Sequence, residues 1–181
     1  MKSLKLSIQD MCFIAIFTTL IAIFAQISIP LPGGVPFTLQ TLAIQLAGII
    51  LGAKKGALSA IVYVLLGAVG IPVFARFGGG LGIIAGPTGG FILSFPIMAI
   101  AAGIGANKNN TVSLISGLTV GTVTNFLCGM LFFTLVMSSS LQTAFIATTL
   151  PFIPSAILII TLLAIVGKRI KIILEKSRLL R

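Results

Sequence analysis

Arg76 has the surroundings that most invite chemistry in this chain of 181 residues. It sits in Ile71-Pro72-Val73-Phe74-Ala75-Arg76-Phe77-Gly78-Gly79-Gly80, and Gly82 and Gly86-Pro87-Thr88-Gly89-Gly90 follow. A loop this rich in Gly and Pro can fold back on the body of the protein, and its free N–H groups can cradle an anion. The guanidinium adds a planar fork of donors suited to a carboxylate. Together these residues point to non-covalent capture of a small carboxylated solute. A competing reading has Arg76 reach to the outer lipid headgroups, as Arg near helix ends does.

The other candidates are uncharged. The segment Pro30-Leu31-Pro32-Gly33-Gly34-Val35-Pro36-Phe37-Thr38-Leu39-Gln40 ends in polar groups at the start of a helix, with Thr38 and Gln40 on different faces. Gln26, Gln45 and Asn125 lie inside apolar runs. A buried amide needs partners, and these are either one another or a ligand.

Much chemistry is excluded. The chain has twelve Lys or Arg, two acids, Asp10 and Glu175, near opposite ends, and no His. A carboxylate pair, a His-based triad, a His metal cluster and a calcium cage all lack their residues. No catalytic residue, metal site or cofactor is therefore assigned. Gly80-x-Gly82 lacks the third glycine of a dinucleotide loop, and no GxxxxGK[ST] phosphate loop occurs. Cys12 and Cys128 stand far apart in apolar runs without CxxC spacing, which predicts two buried small hydrophobes. The net charge of +10 does not signal nucleic acid, because the positives lie between long apolar runs rather than across one exposed face.

The elements that must position these groups are transmembrane helices. Hydrophobic residues make up 57% of the chain and charged ones 8%, with mean hydropathy +1.23, where soluble domains carry about a quarter charged residues. Residues 11–53, 56–75, 77–107 and 109–167 contain no charge. About 20 apolar helical residues cross a bilayer, so these stretches hold two, one, one and two crossings. The predicted fold is all-α and integral to the membrane, a single six-helix domain over 1–181. Its spans are 9–29, 38–53, 56–72, 88–106, 112–136 and 154–174, with a basic tail over 168–181. Breaks fall at the Pro/Gly run after Ile29, at the turn Gly52-Ala53-Lys54-Lys55-Gly56, in the Gly-rich segment 78–90, and between Met137 and Pro154. A β-barrel is disfavoured because no run alternates. Gly48/Gly52, Gly52/Gly56, Gly117/Gly121 and Ala15/Thr19 are small residues at helix-packing spacing.

Six spans place every Lys and Arg except Arg76 on one side. By the positive-inside rule that side is cytoplasmic, both termini are inside, and Arg76 faces out. The tail from Gly167 to Lys176 is expected to attract anionic membrane lipid, worth about 1 kcal/mol per charge near the surface.

Pro30-Leu31-Pro32 through Pro36-Phe37-Thr38-Leu39-Gln40, Gly70-Ile71-Pro72-Val73-Phe74-Ala75, Gly86-Pro87-Thr88-Gly89-Gly90-Phe91 and Pro151-Phe152-Ile153-Pro154 resemble, in order and spacing, the biotin-specific S component of energy-coupling-factor transporters, the BioY family. The resemblance covers nearly the whole chain. It implies a vitamin-capturing membrane subunit that associates with a transmembrane coupling subunit and two cytoplasmic ATPase subunits. Ala15 and Thr19 occupy the place of the family's small-residue contact with the coupling subunit, with Thr where Ala is usual. The family commonly starts its last helix with an Asp followed three residues later by a Lys, associated with the ligand's ureido head. Here those positions read Ala156 and Ile159, and Phe91 stands where Tyr is frequent.

The sequence thus predicts a non-enzymatic, multi-pass cell-membrane subunit that captures biotin. The carboxylate is placed near Arg76, with Phe37, Phe74, Phe91, Thr38, Gln40, Gly79, Thr88 and Asn125 completing the site. Asn125, Gln40 and Thr38 would replace the altered head-group contacts, or the solute has a less polar head, such as lipoate. A membrane enzyme would need intramembrane acids or His, which are missing. A structural or pore-forming protein would need a polar stripe, and only isolated amides occur.

Overall fold

The computed structural model describes residues 6–31, 33–108 and 110–176, so Lys2, Lys5, Pro32, Arg178 and Arg181 lie outside the described residues. Helix α1 (Ile8–Gln26) opens with a capping box: the Asp10 amide donates to Ser7 Oγ at 3.1 Å, and Asp10 Oδ2 accepts from the Ser7 amide at 3.2 Å. Its expected extension to Ile29 is replaced by a two-stranded antiparallel ribbon, β1 (Ser28–Ile29) with β2 (Phe37–Thr38). Thr38 is therefore a strand residue, and Gln40 begins the next helix.

Helix α2 (Gln40–Ala68) contains the turn expected near Lys54. Gly52, at φ 79° and ψ 170°, breaks it into arms over 40–51 and 53–68. A Cβ on Gly56 would lie 2.7 Å from Gly48 Cα, whereas eight residues of straight helix span about 12 Å. The chain doubles back at Gly52. That backbone conformation is essentially reserved to glycine, so Gly52→Ala is expected to cost about 1–3 kcal/mol, measured as a lower unfolding temperature in detergent, although nothing lies within 4 Å of the added carbon.

The second arm ends at Ala68, four residues before the expected boundary, where Gly70 takes φ 102°. The Gly-rich segment then holds a tight turn at Ala75–Phe77 and a one-turn helix, α3 (Leu81–Ile84). Helices α4 (Gly89–Asn107) and α5 (Thr111–Met137) match the expected spans within a residue. Asn110 caps α5 by accepting from the Val112 amide, and Ser138 ends it in the left-handed region. The expected break after Met137 holds another helix, α6 (Leu141–Thr148), capped by Ser140. A single 3-10 turn follows at Leu150–Phe152, and then α7 (Ile153–Leu162), a π turn at Leu163–Gly167 and α8 (Lys168–Lys176).

Packing follows the small residues. Gly48 meets the Ala99 carbonyl, and Gly105 and Gly117 face each other backbone to backbone, so α4 lies against α2 on one side and α5 on the other. Ile21, Ala25, Ala43, Ile44, Ala60, Tyr63, Phe74, Ile92, Phe95, Met98 and Ala99 form the main core. Among the described residues five helical runs are long and apolar enough to cross a membrane, the fifth being Leu141–Ile173 from α6 into α8, and the first four carry exposed Ile16, Ile23, Leu65, Ile97, Val120 and Leu131 on their outer faces. Such a surface suits lipid. It also corrects the reading of Cys12, which is exposed, while Cys128 is only half-buried. In a membrane helix an apolar run has a lipid face as well as a core face.

Among the described residues, Lys55 and Lys171 lie at the end of the bundle where α4 finishes. Lys55 pairs with Asp10, Gly103 of α4 packs on Ala53, and Lys171 Nζ donates to the Ala106 carbonyl at 3.2 Å. Arg76 lies near the start of α4, about 28 Å of helix from the Lys108 end.

Candidate ligand-binding site

At the Arg76 end lies a cavity of about 410 Å³, within the range of small-molecule sites. Its roof is Pro30, Leu31 and the run from Gly34 to Thr38, seated on α6 through Gly33 against Ala147 and on α5 and α6 through Val35 beside Phe133 and Ala144. Gln40, Thr41 and Gln45 of α2 form one wall, Thr88, Phe91, Ile92 and Phe95 of α4 another. Thr122, Asn125 and Phe126 of α5 face Phe152, Ser155, Ala156 and Ile159 across it. Among the lining residues Arg76 alone carries a charge.

Arg76 is exposed at the mouth and has no ion-pair partner among the described residues. It and Phe77 both take left-handed backbone, at φ 58° and 56°, which costs a non-glycine residue about 1 kcal/mol or more. Phe74, 1% exposed, packs edge-on to Tyr63, and Phe37 stacks on Phe152 at 6.4 Å between ring centres.

Two buried amides stand in matching frames. Gln45 Nε2 donates to the Leu118 carbonyl at 3.1 Å and to Thr122 Oγ1 at 2.8 Å, while Thr122 donates to the same carbonyl. Asn125 Nδ2 donates to the Phe91 carbonyl at 2.9 Å and to Ser94 Oγ at 2.7 Å, while Ser94 donates to that carbonyl. Each NH2 group faces acceptors only, so flipping either amide would set oxygen against oxygen. The amide oxygens are therefore the groups left over. Gln45 Oε1 is buried without a partner, and Asn125 Oδ1 has none among the described residues. Both residues line the cavity, Gln45 with its Oε1 shielded from solvent, and a cation stands at the mouth.

Of the residues predicted from sequence, Arg76, Phe37, Phe74, Thr38, Gln40, Thr88, Phe91 and Asn125 line this cavity. Gly79 stands outside the lining, close-packed on the backbone of Gly70 and Ile71. Ala15 and Thr19 lie on the open face of α1, where the Thr19 hydroxyl donates to the Ala15 carbonyl at 2.9 Å. Gln26 also faces away from the cavity, bonded to the loop that carries Arg76.

Sequence reasoning missed Gly67 and Gly129. The rings of Phe74 and Phe91 lie directly over these glycines, leaving no room for a Cβ. A helical signal was available: Gly129 follows Asn125, and Gly67 follows Tyr63, at the i+4 spacing of one helix face. Gly129→Ala is expected to push Phe91 into the cavity and cost about 1–3 kcal/mol of stability. The double variant with Phe91→Leu should recover much of that loss, as read by thermal unfolding.

A family profile described as the BioY family matches residues 1–176. The chain belongs to the BioY family. A probable biotin transporter BioY of Pyrococcus horikoshii is 40% identical over 163 residues, covering 90% of this chain and 96% of that protein. A biotin transporter BioY of Thermotoga maritima is 50% identical over 96 residues, 53% of this chain and 56% of that one. A crystal structure of the S-component for biotin from an ECF-type ABC transporter superposes with TM-score 0.82 at 26% identity, covering 91% of each chain. As a member of BioY the chain is a multi-pass membrane protein of a transporter family.

Proposed function

We propose that the chain is the substrate-capture subunit of an energy-coupling-factor transporter and takes biotin from the extracellular side. The observation that carries this reading is the cavity with one cation at its mouth and two amides in its lining whose oxygens have no partner among the described residues, an arrangement complementary to a carboxylate tail and an N–H-bearing ring. Arg76 binds the carboxylate, Phe37, Phe74 and Phe91 enclose the ring and chain, and Gln45 and Asn125 accept from the ureido N–H groups. Gln40 and Thr38 supply further polar contact near the roof, and Thr88 lines the opposite wall.

Ala156 and Ile159 favour this division of labour, because they leave the α7 side of the cavity without a charged group. A head with no donor, such as the dithiolane of lipoate, would leave both amide oxygens unmatched. Lipoate is accordingly the second ligand to test. The two arms of α2, counted separately because of the reversal at Gly52, bring the crossings to six and both termini to the cytoplasmic side. The exposed Ala15/Thr19 face of α1 would meet the coupling subunit, which carries the two ATPase subunits, and the basic tail would meet anionic lipid.

Binding of labelled biotin and lipoate to the purified protein tests the ligand. Saturable biotin binding with weaker lipoate binding is expected, and failure of both compounds would end the assignment. Thiol labelling of Arg76→Cys in a chain lacking Cys12 and Cys128 tests the orientation. Access from the cytosol alone would reverse it.

A further inference from the structure

Gln26 is a polar residue at the end of α1 that the cavity does not use, yet its side chain is hydrogen-bonded to the loop that carries Arg76. Its Nε2 donates to the carbonyls of Val73 at 3.3 Å and Phe74 at 3.1 Å, and to Ala22 of its own helix at 3.1 Å. Its Oε1 accepts from the Phe77 amide at 2.8 Å. One amide therefore grips the main chain on both sides of Arg76. The Tyr63 hydroxyl holds the Val73 carbonyl as well, at 3.1 Å, and the Phe74 amide donates to the Gly78 carbonyl at 2.9 Å, closing the turn.

Arg76 and Phe77 are two successive non-glycine residues at positive φ, a conformation that persists only where surrounding contacts over-determine it. Phe77 supplies none from its own side chain, which is 73% exposed. Gly78 and Gly79 give the turn room to close but cannot hold it. The side chains placed to hold it are the Gln26 amide and the Tyr63 hydroxyl, beside the main-chain bonds from Phe74 to Gly78 and from Gly80 to Gly67.

We infer that Gln26 is a positioning residue that aims the Arg76 guanidinium at the mouth of the cavity by fixing the backbone from Val73 to Phe77. The inference rests on the reading of Arg76 as the carboxylate's partner. Gln26 touches no ligand in it and acts through Arg76 alone. Because Gln26 belongs to α1, the clamp also makes the aim of Arg76 depend on where that helix sits.

The test uses Gln26→Met, which keeps the side chain's length without its hydrogen bonds, and pairs it with Arg76→Ala. Biotin and its uncharged methyl ester are titrated against the wild type, both single variants and the double variant, alongside amide hydrogen exchange. Gln26→Met is expected to weaken biotin about tenfold, to change the ester by less than about twofold, and to add nothing once Arg76 is gone. Exchange at Phe77 should quicken about tenfold with little change in the α4 core. Equal losses for biotin and ester, or the full loss persisting in the Arg76→Ala background, would overturn the inference in favour of a purely structural role. Should the wild type bind neither compound, the ligand reading falls separately. Exchange at Phe77 then decides the clamp: quickened, it stands; unchanged, it does not.

Discussion

Arg76→Ala is expected to weaken biotin binding about tenfold or more, and to leave the methyl ester nearly untouched. A charge-assisted hydrogen bond is worth about 1.5–3 kcal/mol, and each 1.4 kcal/mol is tenfold in affinity. Exposure of Arg76 pulls the figure down, since a pair left open to water contributes about 1 kcal/mol or less. The phenyl rings around the mouth raise the figure to the extent that they exclude water from the bound carboxylate. Salt separates these contributions. A screened rim pair loses affinity between 50 mM and 500 mM NaCl, whereas a desolvated one holds. Arg76→Lys keeps the charge but not the planar fork, so it should recover part of the loss. Titration calorimetry of the three proteins at two salt concentrations reads all of this. An alanine variant that binds biotin like the wild type would remove the carboxylate from this end of the cavity.

The second large effect concerns the buried amides. Asn125→Leu removes the acceptor offered to the ligand and leaves Ser94 Oγ, which still donates to the Phe91 carbonyl, without its donor. Loss of a buried partner costs about 1–3 kcal/mol, so biotin affinity should fall about tenfold or more. Gln45→Leu should do the same from the α2 side, leaving Thr122 Oγ1 without its donor. A ligand whose ring carries no N–H has nothing to lose at either oxygen, and its affinity should hold or rise in both variants. Competition between biotin and lipoate measures the ratio directly. A ratio unchanged by both substitutions would show that the depth of the cavity does not read N–H donors.

The extent to which this site was legible differs by residue. Arg76 stood out from charge distribution alone, because a cation isolated between apolar runs is visible in one dimension. Asn125 and Gln45 stood out as polar residues in apolar helices, but only the frames built by Ser94 with Phe91 and by Thr122 with Leu118 show which end of each amide is free. Gln26 was visible as an amide in an apolar run without any hint that its partners lie near residue 75. The ribbon of Ser28–Ile29 with Phe37–Thr38 carried no signal, since two residues per strand cannot establish an alternating pattern.

The amino-acid sequence by itself determined the membrane class, the charge-free lengths that become helices, the Gly and Pro breaks between them, and the isolation of Arg76 between two of those charge-free lengths. These are local properties, set by transfer of side chains into lipid and by backbone geometry over a few residues. Only the tertiary structure decided that Gly52 reverses a helix, that Gly67 and Gly129 seat the two aromatic rings, that Gly79 is packing rather than lining, and that Gln26 grips the Arg76 loop. Each of these depends on the close approach of segments distant along the chain or on a backbone angle that many glycines could adopt and few do. Contact at that range is a property of packing in three dimensions, which no periodicity along the chain encodes.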